Sequence, residues 1–263
     1  MPELLQTISR QIKSSASSVS FETTGTKAWP VWDRYLTIEG KRAYNIGNIC
    51  GTCAFLFERL EGANVTVNVG DLTRELADGV KTLDGVVDPL SLLLPVSDYR
   101  VALLRFIPRI VKLGGGGDYF AAEQVENYNG VDPFWGLPHH PKVPYYRPAS
   151  RETIDLGATT GKLFNFIIPM FPESWLDAAR TQDYVARMKE GIEPTAVAVS
   201  ILDVKAPATS GEAHWCMAHY LLDGHHKLAA AARSAKPMTL IAFVAVDRGI
   251  SNAEQVARAL QGL

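Results

Sequence analysis

Four of the six histidines in this 263-residue chain, His214, His219, His225 and His226, lie within 13 residues of one another; the other two are His139 and His140. His225 and His226 follow Asp223-Gly224 and precede Lys227 in the run YLLDGHHKLAAA, residues 220–231. An apolar strand that ends on Asp-Gly and passes at once into a helix leaves the first helical N–H groups free and the positive end of the dipole exposed. Gly224 permits the sharp turn, and His225, His226 and Lys227 add donors around it. Phosphate is the natural guest of such a site. A histidine there could stabilise charge or act as acid or base, and Asp223 could orient it or hold Mg²⁺. Glu190 or Glu193, just before the next strand, could supply a catalytic base. The same residues also read as an ordinary helix start, with Asp223 as cap and His226 as a satisfied core histidine. In either reading Lys227 is expected to be exposed, so that its loss costs folding no more than about 0.5 kcal/mol.

Cys50 and Cys53 are separated by Gly51-Thr52 and precede Ala54–Leu60, AFLFERL, which reads as a helix. Three roles are open to them. They could be buried structural thiols, or a redox dithiol with Cys50 activated by the helix dipole. They could also be half of a zinc site, completed by Cys216 and one of His214, His219, His139 or His140. The pair is expected to lie within disulfide or common-metal reach. Gly114–Gly117 lack the Gly-Lys-Ser/Thr of a phosphate loop and end in Asp118-Tyr119, so they read as a turn.

The elements that must position these groups are regular at the C-terminal end. Strands are expected at Phe164–Met170, Ala196–Val204, His214–Leu222 and Met238–Val246, and helices over Glu173–Glu190, Leu228–Ser234 and Asn252–Leu260. Upstream, Pro2–Ser15 has apolar residues at helical spacing, and so does Tyr99–Val111, with Pro108 bending it. Tyr35–Ile38 and Ala43–Ile46 flank Glu39-Gly40-Lys41 as a strand, a turn and a strand. Val65–Val69 alternates as a half-buried strand, and Leu72–Asp78 is a short helix. Gly130–Pro148 holds five prolines and is the expected domain boundary, dividing the chain into 1–150 and 151–263.

Hydrophobic residues make up 47% and charged residues 21%, which excludes wholesale disorder. The formal net charge of −2 provides no field for a polyanion, so no nucleic-acid partner is expected. No apolar run approaches the roughly 20 residues of a membrane span. Three cysteines do not make a secreted disulfide scaffold. A cytoplasmic protein with no membrane partner is expected.

Residues 191–197, GIEPTAV, a following strand, and residues 222–231, LDGHHKLAAA, together resemble the ParB/sulfiredoxin-like fold. That superfamily has a Gly-x-x-Pro strand start and a strand running into a helix that opens on glycine and basic residues. A final strand follows, matched here by Pro237–Val246, so that the resemblance spans roughly residues 164–250. It implies an α/β (α+β) chain whose C-terminal unit has a mixed sheet and flanking helices, joined to a loop-rich α+β N-terminal region of unassigned role. It also implies nucleotide or phosphate binding at Gly224, His225, His226 and Lys227. Sulfiredoxins have a cysteine where this chain has His225, and partition proteins carry Glu-Arg-Arg there, which leaves the free-serine-kinase branch as the nearest analogue. The implied activity is a small-molecule phosphotransferase using ATP or ADP with Mg²⁺. The alternative is a non-catalytic ligand-binding or sensor protein with a metal (Zn²⁺) or redox Cys-x-x-Cys site.

Overall fold

The computed structural model describes residues 2–13, 16–65, 67–130, 141, 143–149, 153–156, 161–170, 172–208 and 211–263. The first strands are β1 (Glu3–Ile12), β2 (Val19–Thr24), β3 (Asp33–Ile38), β4 (Lys41–Asn48) and β5 (Glu58–Arg59). Helices α1 (Thr73–Asp78) and α2 (Val87–Ser91) follow, then β6 (Ser97–Phe106), β7 (Pro108–Ile110), α3 (Glu123–Asn127), β8 (Tyr146–Pro148) and β9 (Thr153–Asp155). The remainder runs β10 (Gly161–Ile168), α4 (Ala178–Lys189), β11 (Thr195–Lys205), β12 (Ala213–Asp223), α5 (His225–Ser234), β13 (Met238–Ala245) and α6 (Ala253–Gln261).

Nine strands form one mixed sheet in the order β1-β6-β13-β11-β12-β10-β8-β7, with β9 also on β10. β10 pairs parallel to β12 and β11 parallel to β13, while β11–β12, β13–β6 and β6–β1 are antiparallel. Strands β2 to β5 form a separate antiparallel sheet. The chain is therefore α+β. Residue 150, the expected boundary, lies outside the described residues; β8 precedes it in the sequence and β9 follows it, and both pair with β10.

The alternation along β11 shows what each face covers. Val197, Val199 and Ile201 join Leu36, Ile38 and Tyr44 of the small sheet in one core. Ala196, Ala198 and Leu202 face the other way, into a core shared with Val185 and Met188 of α4, Leu228 and Ala231 of α5, and Val256 and Leu260 of α6. The large sheet is thus buried on both faces, which is why β11 and β13 read as unbroken apolar runs.

One buried ion pair pins the two sheets. Arg34 of β3 donates Nη1 and Nη2 to Asp203 of β11, at 2.9 and 2.6 Å. Burial opposes charge on Asp203, but Arg34 outweighs it and holds the carboxyl below its usual range.

Four expectations are corrected. Residues Pro2–Ser15 supply a strand, β1, instead of a helix, and Tyr99–Val111 lie in β6 and β7. Ala54–Leu60 is not helical: Ala54–Phe57 is irregular and buried, and β5 follows it. Val67–Val69 form no strand. No helix among the described residues is long and apolar enough to cross a membrane.

Candidate functional site

Strand β12 ends at Asp223, and Gly224 turns the chain into α5 with φ of +102°. Side chains avoid that conformation, and there is no room for one: a Cβ on Gly224 would sit 2.6 Å from Ala196 Cβ. No side chain caps α5. Asp223 turns away from that task, and its Oδ2 accepts from Lys227 Nζ at 2.7 Å. Lys227 also donates to the Thr195 carbonyl at 2.8 Å and is buried. Burial pushes its pKa down while Asp223 holds it up. The expectation of an exposed Lys227 is corrected: its ammonium points into the sheet, tying β11 to the strand–helix turn.

The two histidines differ. His225 is buried, and its Nε2 accepts the Met170 N–H at 2.9 Å. Burial drives its pKa down to about 3, so the imidazole is neutral around pH 7. It is His225, rather than His226, that is the satisfied core histidine. His226 is half-buried and its Nε2 accepts the Asp177 N–H at 3.0 Å. That acceptor role places the ring proton on Nδ1. Burial, and then the neighbouring Arg180, lower its pKa. Asp177 is itself the cap of α4, accepting the Arg180 N–H at 2.7 Å. His226 therefore staples the starts of α4 and α5 together.

These helix starts border a cleft of about 400 Å³. From α5 and its turn the lining includes Asp223, Gly224, His225, His226 and Lys227. The lining also includes Arg180 and Tyr184 of α4, with Asn68 and Thr73 from the segment before and into α1. Arg180 is exposed, with its guanidinium beside the Tyr184 hydroxyl. Sequence reading missed Arg180, Tyr184 and Asn68. Nothing local marks them, because it is the packing of α4 on α5 that brings Arg180 to the cleft.

No protein-family model matches the chain, and no curated protein or solved structure matches it either. The site therefore has to be read from its own atoms.

Glu190 and Glu193 do not line the cleft. Glu190 is exposed and is the C-cap residue just after α4. Glu193 accepts twice from Arg105 of β6, at 2.7 and 2.6 Å, and that pairing holds its carboxyl below the usual range. Cys50 and Cys53, expected to lie within disulfide or common-metal reach of each other, are joined as a disulfide. Cys216 is buried on β12 beside the Tyr119 hydroxyl, 3.6 Å away, and burial pushes its thiol pKa up. The same hydroxyl is 3.0 Å from His214 Nδ1. Among the described residues, no cluster of three His, Cys, Asp or Glu side chains could hold a metal ion. His139 and His140 lie outside the described residues.

Proposed function

We propose that the cleft between the starts of α4 and α5 binds the phosphate groups of a nucleotide, ATP or ADP with Mg²⁺, and that the chain is a small-molecule phosphotransferase acting in the cytoplasm. One observation carries the reading: the N-terminus of α5 carries no side-chain cap and opens on a cleft that Arg180 also lines. Oriented N–H groups, the dipole and a guanidinium all favour an anion there. The ParB/sulfiredoxin-like resemblance of residues 164–250 supports the same place.

The roles follow from the contacts. The amides of the first turn of α5 and the Arg180 guanidinium hold phosphate. His226 offers its Nδ1 proton as a further donor. Lys227 and His225 act as positioning residues, the one fixing Asp223 and the other fixing the turn against Met170. Among the described residues that line the cleft Asp223 is the one carboxylate, and Lys227 occupies its Oδ2. A single carboxylate suits Mg²⁺, which is held by one or two carboxylates together with phosphate oxygens.

Thermal melting with ATP, ADP and inorganic phosphate, with and without Mg²⁺, tests the reading. A ligand at 100 times its Kd adds about 2.7 kcal/mol to the stability of the native state. Arg180→Gln should melt like the parent when empty and bind nucleotide roughly tenfold or more weakly, the worth of one charge-assisted contact. No stabilisation by any of these ligands, or equal shifts in parent and variant, would overturn it. Consumption of the nucleotide with small hydroxyl acceptors separates a transferase from a binder.

A further inference from the structure

The Cys50–Cys53 loop lies away from the cleft and is held in a way that does not depend on its disulfide. Cys50 N–H donates to Asn48 Oδ1 at 3.0 Å, and the Cys50 carbonyl accepts from Lys205 Nζ at 2.7 Å. The Gly51 carbonyl accepts the Ala206 N–H at 2.8 Å, and Ile49 N–H donates to the Trp32 carbonyl at 2.9 Å. Strand β11 and the small sheet thus frame the loop by backbone and lysine contacts that survive if the sulfurs part. Both cysteines are partly exposed, so a reagent can reach them.

The donors around the two sulfurs are unequal. The Cys53 N–H points at Cys50 Sγ, 3.1 Å away, and Thr52 Oγ1 is 3.4 Å from the same atom. The Lys205 ammonium sits against the Cys50 carbonyl. Donors aimed at Cys50 Sγ favour its thiolate over its thiol.

We infer that Cys50 and Cys53 form a thiol–disulfide exchange site for small-molecule thiols and disulfides, with Cys50 as the nucleophilic sulfur. In the reducing direction an external thiolate attacks Cys50 Sγ. The intramolecular S–S bond breaks, a mixed disulfide forms, and Cys53 leaves as a thiolate that takes a proton from solvent. A second external thiolate attacks the external sulfur of the mixed disulfide and releases Cys50 as a thiolate. Two thiols are oxidised to one disulfide, and the protein gains the two electrons. Oxidation by a small-molecule disulfide runs the same steps backwards, beginning with attack by Cys50. The frame around the loop keeps the two sulfurs near each other in both states.

The full chain is equilibrated at neutral pH, without denaturant, in mixtures of reduced and oxidised dithiothreitol, then quenched with a maleimide and weighed. The expected result is a reversible two-electron transition between zero and two labels, with the folded melting transition retained and buried Cys216 unlabelled. Reduction only after denaturant is added, or failure to reoxidise, would overturn the proposal. Alkylation rates of Cys53→Ser and Cys50→Ser test the assignment of roles. Cys50 in the first variant should react roughly fivefold or more faster at pH 7 than Cys53 in the second, with a midpoint below the ordinary thiol value of about 8.5. Equal rates, or a faster Cys53, would overturn Cys50 as the nucleophile.

Discussion

Lys227 shows how far one side chain's direction can alter the meaning of a motif. In the sequence its charge sits beside two histidines at a helix start and reads as a phosphate ligand. In the fold the same ammonium turns inward and satisfies both Asp223 and the Thr195 carbonyl. Lys227→Met should therefore strand a carboxylate and a carbonyl and lose roughly 2–3 kcal/mol of stability. Urea unfolding measures this directly, and a loss below about 0.5 kcal/mol would return the residue to the surface role its position suggests. The exposed cation that lines the cleft among the described residues is instead Arg180, in the first turn of a different helix, α4.

Among the elements, the turn from β12 into α5 tolerates least. Gly224→Ala would force an L residue to φ of +102° and drive its Cβ into Ala196 of β11. A loss of roughly 2 kcal/mol or more is expected, read from the melting temperature, together with weaker nucleotide binding as the amides of α5 lose their alignment. This turn was legible in the sequence because Asp-Gly interrupts two clean patterns, and the C-terminal elements were legible for the same reason. The N-terminal ones were not. In β1, Leu4, Gln6 and Ile8 are half-buried while Leu5 is exposed. Gln6 belongs on the inner side because its Oε1 accepts the Leu83 N–H at 2.7 Å. A polar residue facing in and an apolar one facing out erase the period of two and leave a false helical spacing. In β6, burial on both faces gives a continuous apolar run that periodicity cannot tell from a helix. Phe55 and Phe57 are apolar because they pack in an aromatic cluster with Tyr119, Phe120 and Phe166, and this needs no regular element.

For the whole molecule, acid is the weak side. His214, His219 and His225 are buried, and burial pushes their pKa values down to about 4, 3 and 3. Unfolded, each would take a proton near pH 6.5. The unfolded chain therefore binds more protons below that pH, and stability falls as pH drops from about 6.5 towards 3, by up to about 1.4 kcal/mol per pH unit for each ring. The urea midpoint should be clearly lower at about pH 5 than at about pH 7.5, and His219→Gln should flatten the dependence; a profile already flat in the parent would show that these rings are not neutral and enclosed. The sheet that holds them also governs when the chain can become a protein. Among the described residues β13 follows every other strand in the chain, yet it lies inside the sheet, between β6 and β11. Until residue 245 has left the ribosome, β6 and β11 each present an open, apolar edge. The nascent chain must carry two unjoined half-sheets past its neighbours, and the danger of aggregation from those edges lasts until β13 has been made.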